Sequence, residues 1–420
     1  MRKLSLIVLV TVMALSLVLI PSHTAKTEAR QDTLKIGVIT DRTGLLAVYG
    51  IELENGFALG LDYATGGTME VAGRPIEIIV RDYGGDAVVA AEQAVDLIEG
   101  EGVEILVGAP SSDVTQGLVA IAADYGVILM AGPAAAKNLT GDLFEETTFR
   151  ACRNSWHDAM ALAPYWVDAI GETYVQFAAD YSFGREAAEA FDYMLQQYDA
   201  TPVQDTIYGS LTLTEFGPFL DEIMDSGADG VIYIWAGAGT IPLVQQIDEA
   251  GVTDEMAAIG FFNSNDIMVA FADAQEIPSD GFIIYHYTLP DNEINDWLVQ
   301  QHIERFDGDV PDLFTECGFA TGQAIVAGLE NSEGSTFVED LVPALEGLEW
   351  EGPKGTYYLR AEDHQAVMPM YAVRLTNLDD PEFRFYERLD VIEIDPLEMP
   401  CEAGADRSSD ELDCTPVTER

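Results

Sequence analysis

The 420-residue chain is too long for one minimal domain and suits two of ordinary size, and a 48 % hydrophobic content argues against disorder. Its 73 acidic and 20 basic side chains leave a net charge of −53, which repels nucleic-acid phosphates and anionic lipid and excludes both as partners. So many carboxylates beside so few lysines suit a saline medium, where self-repulsion is screened, and suit equally the solubility surface of an exported protein.

Arg2 and Lys3 precede an apolar run over 4–20, broken by Pro21 and followed by small and polar residues to Ala29. This is the order of a secretory signal peptide, assigned to 1–29, with Ala25 and Ala29 both fitting the cleavage position. The apolar run is somewhat long, so an uncleaved anchor is the competing expectation. The first cysteine is Cys152, so no lipobox cysteine follows the signal, and no later stretch reads as a membrane span. The mature protein is expected to be soluble and secreted, periplasmic or at the cell surface.

From residue 34 short apolar runs alternate with amphipathic stretches. The spacing predicts strands over 34–40, 76–80, 103–107 and 127–130, with helices over 49–63, 86–99 and 114–125 between them. The pattern restarts with a strand over 173–178 and a helix over 183–198. A helix over 214–225, a strand over 230–235, a helix over 241–250 and a strand over 256–260 follow. Two successive units of this kind predict an α/β fold of two lobes, each a parallel sheet covered on both faces. Segment 281–287 and helices around 295–306 and 320–329 read as returns to the first lobe. Segments 357–359 and 370–375 read as a hairpin closing the second. Residues 396–420 read as an acidic tail. There Cys401 and Cys414 bracket a polar stretch and are expected to pair, while Cys152 and Cys317 either pair or remain small buried thiols.

In an open parallel sheet the loops after the strand C-termini form the ligand crevice. Here these loops carry Tyr49, the serines Ser111 and Ser112 at a helix start, and Ala134, Ala135 and Ala136. The second unit supplies Tyr181, Phe183, Trp235, Ala236, Gly237, Phe262 and Asn263. Hydroxyls and free main-chain N–H groups at a helix start can hold a carboxylate or carbonyl oxygen, and rings with bare backbone suit an apolar pocket. Signals of catalysis are weak. No P-loop, HExxH or GxSxG is present, and the histidines are scattered. Gly237 and Gly239 begin a dinucleotide fingerprint that Pro242 then breaks. No cofactor, metal or catalytic residue is assigned.

Taken in order, Lys35-Ile36-Gly37-Val38, Thr43-Gly44 with Tyr49-Gly50, Gly85-Asp86 after Asp82, and Val107-Gly108 before Ser111-Ser112 form a recognisable series. It continues through Phe149-Arg150, Asp180-Tyr181-Ser182-Phe183-Gly184, Ser226-Gly227-Ala228-Asp229, Trp235-Ala236-Gly237, Gly352-Pro353-Lys354-Gly355 and Arg360 to Gln365. From about 34 to 375 the chain resembles the type I substrate-binding proteins of ABC importers, in the branch that takes branched-chain amino acids, amides and aromatic acids. The resemblance implies a clamshell of two lobes (34–152 plus 281–351, and 153–280 plus 352–395) joined by three crossovers near 150–156, 280–285 and 350–354. A small-molecule ligand would be held between them, ABC permease subunits would be the partner, and the protein would act as a monomer. In amino-acid binders of this family the serines and the fourth-strand loop hold the α-carboxylate and ammonium; those positions fall on Ser111, Ser112 and Ala134–Ala136.

Two departures bear on the ligand. Three alanines stand where such binders place a hydroxyl, and no acid stands in the loop of Phe262 and Asn263 before Asp266. A buried ammonium without an anion is costly, so a ligand lacking one is favoured: an amide, or an aromatic or aliphatic acid. Asp41, Asp82 and Asp180 remain alternative anions, and Arg42 is the nearest candidate cation for an acid. A ligand sensor of the same fold and an exported α/β enzyme are the competing readings.

Overall fold

The computed structural model describes residues 32–260, 263–271 and 280–419. The signal-peptide assignment, 1–29, and Phe262 lie outside the described residues. The first unit runs β1 (Leu34–Thr40), α1 (Ala47–Ala64), β2 (Glu70–Val71), β3 (Arg74–Asp82), α2 (Ala87–Val95), β4 (Ile105–Gly108), α3 (Ser112–Tyr125), β5 (Ile128–Ala131) and β6 (Thr148–Phe149). Its six strands lie in the order β2-β3-β1-β4-β5-β6, parallel except for the β2-β3 hairpin. Alternation along the strands divides the core. Ile36, Val38, Ile105, Val107, Ile128 and Met130 pack to one side, while Ile39, Leu106, Leu129 and Ala131 pack to the other against α2 and α3.

The second unit comprises α4 (Ser155–Ala169), β7 (Thr173–Ala179), α5 (Ser182–Gln197), β8 (Thr201–Pro202), β9 (Ile207–Gly209), α6 (Gly217–Asp225), β10 (Gly230–Ile234), α7 (Thr240–Glu249), α8 (Val252–Glu255), β11 (Ala257–Ile259) and α9 (Asn265–Phe271). Its sheet runs β11-β10-β7-β8, with β9 also paired to β7. β10 is buried throughout and β7 at every residue but Thr173, which fits a sheet covered on both faces.

The remaining elements are β12 (Asp280–Ile283), α10 (Glu293–Arg305), α11 (Thr315–Asn331), α12 (Val338–Leu345), β13 (Glu349–Gly352), β14 (Gly355–Leu359), β15 (Ala366–Val367), β16 (Met370–Leu375) and β17 (Tyr386–Ile392). Helix α11 lies directly on α1. A Cβ on Gly56 would stand 1.9 Å from the Thr315 carbonyl oxygen, and one on Gly318 would stand 2.1 Å from that of Leu53, so the glycines set the interhelical distance.

Two expectations about these segments are corrected. Residues 357–359 and 370–375 do not form a hairpin. β14 pairs with β13 and β15, and Tyr357 and Leu359 join the core of the first sheet, whereas β16 pairs with β12 and β17. The segment around 281–287 does not return to the first sheet, because β12 pairs with β16 and Ile283, Ile284 and Tyr285 pack with the second unit's core. Of these pairings only β12 with β16 joins segments far apart in sequence, which local periodicity does not encode; β14 instead pairs with its immediate neighbours β13 and β15, and β16 with the next strand, β17.

Both cysteine pairs are disulfides. Cys152–Cys317 ties the first crossing to α11, and Cys401–Cys414 closes the tail into a loop. The tail is docked on the body. Arg360 donates to the carbonyls of Pro396 and Met399 at 2.9 and 2.7 Å, and Lys137 meets Glu402 at 3.1 Å while also touching Glu186 and Glu189 of α5. Among the described residues no helix is long and apolar enough to cross a membrane.

Candidate functional site

The loops that end the parallel strands of both sheets face one another across a cavity. From the first unit the wall takes Leu46, Tyr49, Pro110, Ser112, Pro133 and Ala135; from the second, Tyr181, Phe183, Trp235, Ala236 and Asn263. Arg153, at the first crossing, and Ile284, Leu313 and Phe314 complete it.

Tyr49 is the joint between the two sides. Its position on the first turns of α1 carries the phenol across the gap, where the hydroxyl donates to Asn263 Oδ1 at 2.7 Å and accepts the Gly237 N–H at 2.8 Å. Burial pushes its pKa up, so it stays a neutral phenol. Gly237 has a φ of +64°, and a Cβ there would stand 2.4 Å from the Leu45 carbonyl oxygen. Only glycine allows that approach of the two units. Helix starts add to the joint: Asp113 Oδ1 accepts the Ser182 N–H at the head of α5 at 2.9 Å, and Gln116 Nε2 donates to Ser182 Oγ at 2.5 Å.

Of the residues singled out in the sequence, Tyr49, Ser112, Ala135, Tyr181, Phe183, Trp235, Ala236 and Asn263 meet at this cavity. Ser111, Ala134, Ala136 and Gly237 are not on its wall. Ser111 is the N-cap residue of α3, and its N–H donates to the Tyr83 hydroxyl at 3.3 Å. The alanine loop is consumed by a buried cation. Arg150 donates to the carbonyls of Ala134 and Ala136 at 3.3 and 2.9 Å, and burial lowers its pKa to about 9. Ala136 N–H meets Ser112 Oγ at 3.2 Å, and the Ala135 carbonyl accepts from Ser155 N–H at 2.9 Å.

Arg42, the expected cation, is corrected as a site residue: it is exposed and held by Glu54 through Nε at 2.8 Å. The cation on the wall is Arg153. Its guanidinium carbon lies 6.0 Å from the Phe183 ring centroid and 5.4 Å from that of Phe314. Its Nε is 3.3 Å from Asp158 Oδ1, a fully buried carboxyl whose pKa burial raises to about 6. The sequence signal for Arg153 was its place in the first crossover, which in a hinged fold passes under the cleft. Phe314 carried no local signal, since it precedes α11 at the end of a loop.

Comparison with known proteins gives one consistent picture. A family model described as periplasmic binding protein matches residues 33–380. A solved ABC-type branched-chain amino acid transporter of Rhodopseudomonas palustris is 31 % identical, covers 88 % of this chain and 100 % of its own, and superposes with a TM-score of 0.73. A solute-binding protein of an ABC transporter from R. palustris, solved with benzoate, has the same fold at a TM-score of 0.74 and 22 % identity, covering 86 % of this chain and 96 % of its own. A Leu/Ile/Val-binding protein homolog of Brucella melitensis is 22 % identical over 367 residues, covering 85 % of this chain and 91 % of that protein.

Proposed function

The chain belongs to the periplasmic binding protein family, and on that premise we propose that it is the extracytoplasmic solute-binding component of an ABC importer. It takes a small organic ligand, drawn from amino acids, amides and small aromatic or aliphatic acids, into the cavity between two hinged lobes. The closed form is what the permease subunits read.

We divide the chain into a first lobe, built on the six-stranded sheet with α10–α12 and β13–β15, and a second, built on the five-stranded sheet with β12, β16 and β17. The three crossings then fall near 150–156, 284–292 and 367–370. Residues 1–29 direct export, the protein works as a monomer without nucleic acid, and no bond of the ligand is made or broken. The carrying observation is the Tyr49 hydroxyl, bonded to both Gly237 and Asn263 at the cavity, which joins the two sides that enclose it.

A thermal-shift series over amino acids, amides and carboxylic acids tests the reading. A solute held in the closed form raises the Tm by mass action, by about 2.7 kcal/mol of stabilisation at a hundred times its Kd. A flat series across all these classes would count against it.

A further inference from the structure

The cavity wall carries one formally charged side chain, Arg153, and no carboxylate. This guanidinium is 7 % exposed and sits between two phenyl rings, where an unpaired charge is costly. Its donors are sparsely used. Nε faces Asp158 at 3.3 Å, Nη1 reaches the Pro133 carbonyl at 3.5 Å, and no hydrogen bond from Nη2 is made among the described residues. Arg150, nearby, is bonded to the uncharged oxygens of Ala134, Ala136 and Thr140 and so adds a second buried positive charge.

The acids that the sequence offered for an ammonium, Asp41, Asp82 and Asp180, are committed elsewhere, and Asp158, the buried acid nearest the wall, already faces Arg153. Asp41 accepts the N–H groups of Thr43, Gly44 and Leu46 at 3.3, 2.6 and 3.3 Å. Asp82 accepts from the main-chain N–H groups of Arg42 and Gly84 and from the Thr43 hydroxyl. Asp180 pairs with Arg185 at the surface, and Asp113 caps α5. An ammonium in this cavity would be desolvated beside a cation. A carboxylate would instead take paired N–H donors from a planar fork.

We infer that the solute is a small monocarboxylate with an apolar body and no ammonium, its carboxylate gripped by Arg153; this rests on the cavity being the solute site. Calorimetric titration of the full mature chain with two matched pairs tests it: 4-methyl-2-oxopentanoate against L-leucine, and benzoate against benzamide. The members of each pair share a body and differ in the charged group. At least one acid binds, and its partner is weaker by about a hundredfold or more. Arg153→Gln erases that preference, Arg153→Lys keeps part of it, and Arg42→Ala leaves it intact.

If L-leucine or benzamide binds as tightly as its acid, or Arg153→Gln leaves acid affinity unchanged, the inference is overturned and solute binding itself stands. Should Arg153→Gln fail to fold, the two pairs on the unaltered chain decide. If none of the four binds, the inference falls, and the solute-binding reading is judged separately by the broader thermal-shift series.

Discussion

Arg42 and Arg153 are the same side chain in two settings, the outer surface and the cleft. On the surface, cations are absorbed by the acidic excess: Arg42 by Glu54, Arg81 by Asp96 and Glu101, Arg305 by Asp62. In the cleft a guanidinium stands among rings, with the buried Asp158 carboxyl 3.3 Å from its Nε. With a net charge of −53, pairing at the surface is what chance provides and says little about function. A buried cation on an apolar wall, with donors left over beyond its contact to Asp158, is the exception that carries information about the ligand.

The sharpest way to break this comparison is to stop the cleft from forming while leaving every charge in place. Gly237→Ala does so, because the added methyl meets the Leu45 carbonyl and the positive φ disfavours a side chain. We expect affinity for the bound acid to fall by roughly a hundredfold with little change in the Tm of the unliganded protein. Tyr49→Phe removes two hydrogen bonds between the lobes and should cost about tenfold, seen mainly as faster release in stopped-flow fluorescence.

Asp158→Asn sharpens the comparison in the other direction. Removing the anion beside Arg153 should tighten acid binding by about three- to tenfold at pH 8. The unaltered protein should approach the same affinity as pH falls through about 6, where Asp158 protonates, and the variant should lack that step. The same shift has a stability consequence. Between the ordinary carboxylate value of 3.8 and about 6 the native state holds a proton that the unfolded chain releases, so this group's contribution to stability falls as pH rises through that window. The smallest effect belongs to the surface: Arg42→Ala should change affinity by less than about twofold, because its exposed pair with Glu54 is worth little.

The strands were legible because β-branched and aliphatic runs of four to seven residues, as in Ile105–Gly108 and Thr173–Ala179, stand between clear helical periodicities. The loop positions of Ser112, Phe183 and Trp235 followed from the rule that strand C-termini face the crevice. Three features were not legible. Which of Ser111 and Ser112 turns inward depends on where α3 begins, a difference of one residue. The engagement of Ala134 and Ala136 depends on Arg150, which reaches them only after β6 is in place. The pairing of β12 with β16 is long-range, and local pattern gives no partner.

The most direct test of the account is a crystal structure of the protein grown with whichever of benzoate and 4-methyl-2-oxopentanoate binds the more tightly. It should show the apolar body in the cavity bounded by Tyr49, Phe183 and Trp235, with the carboxylate on the Arg153 guanidinium and Tyr49 still bonded across the lobes. The acid outside the cleft, or inside it with its carboxylate turned away from Arg153, would contradict the account.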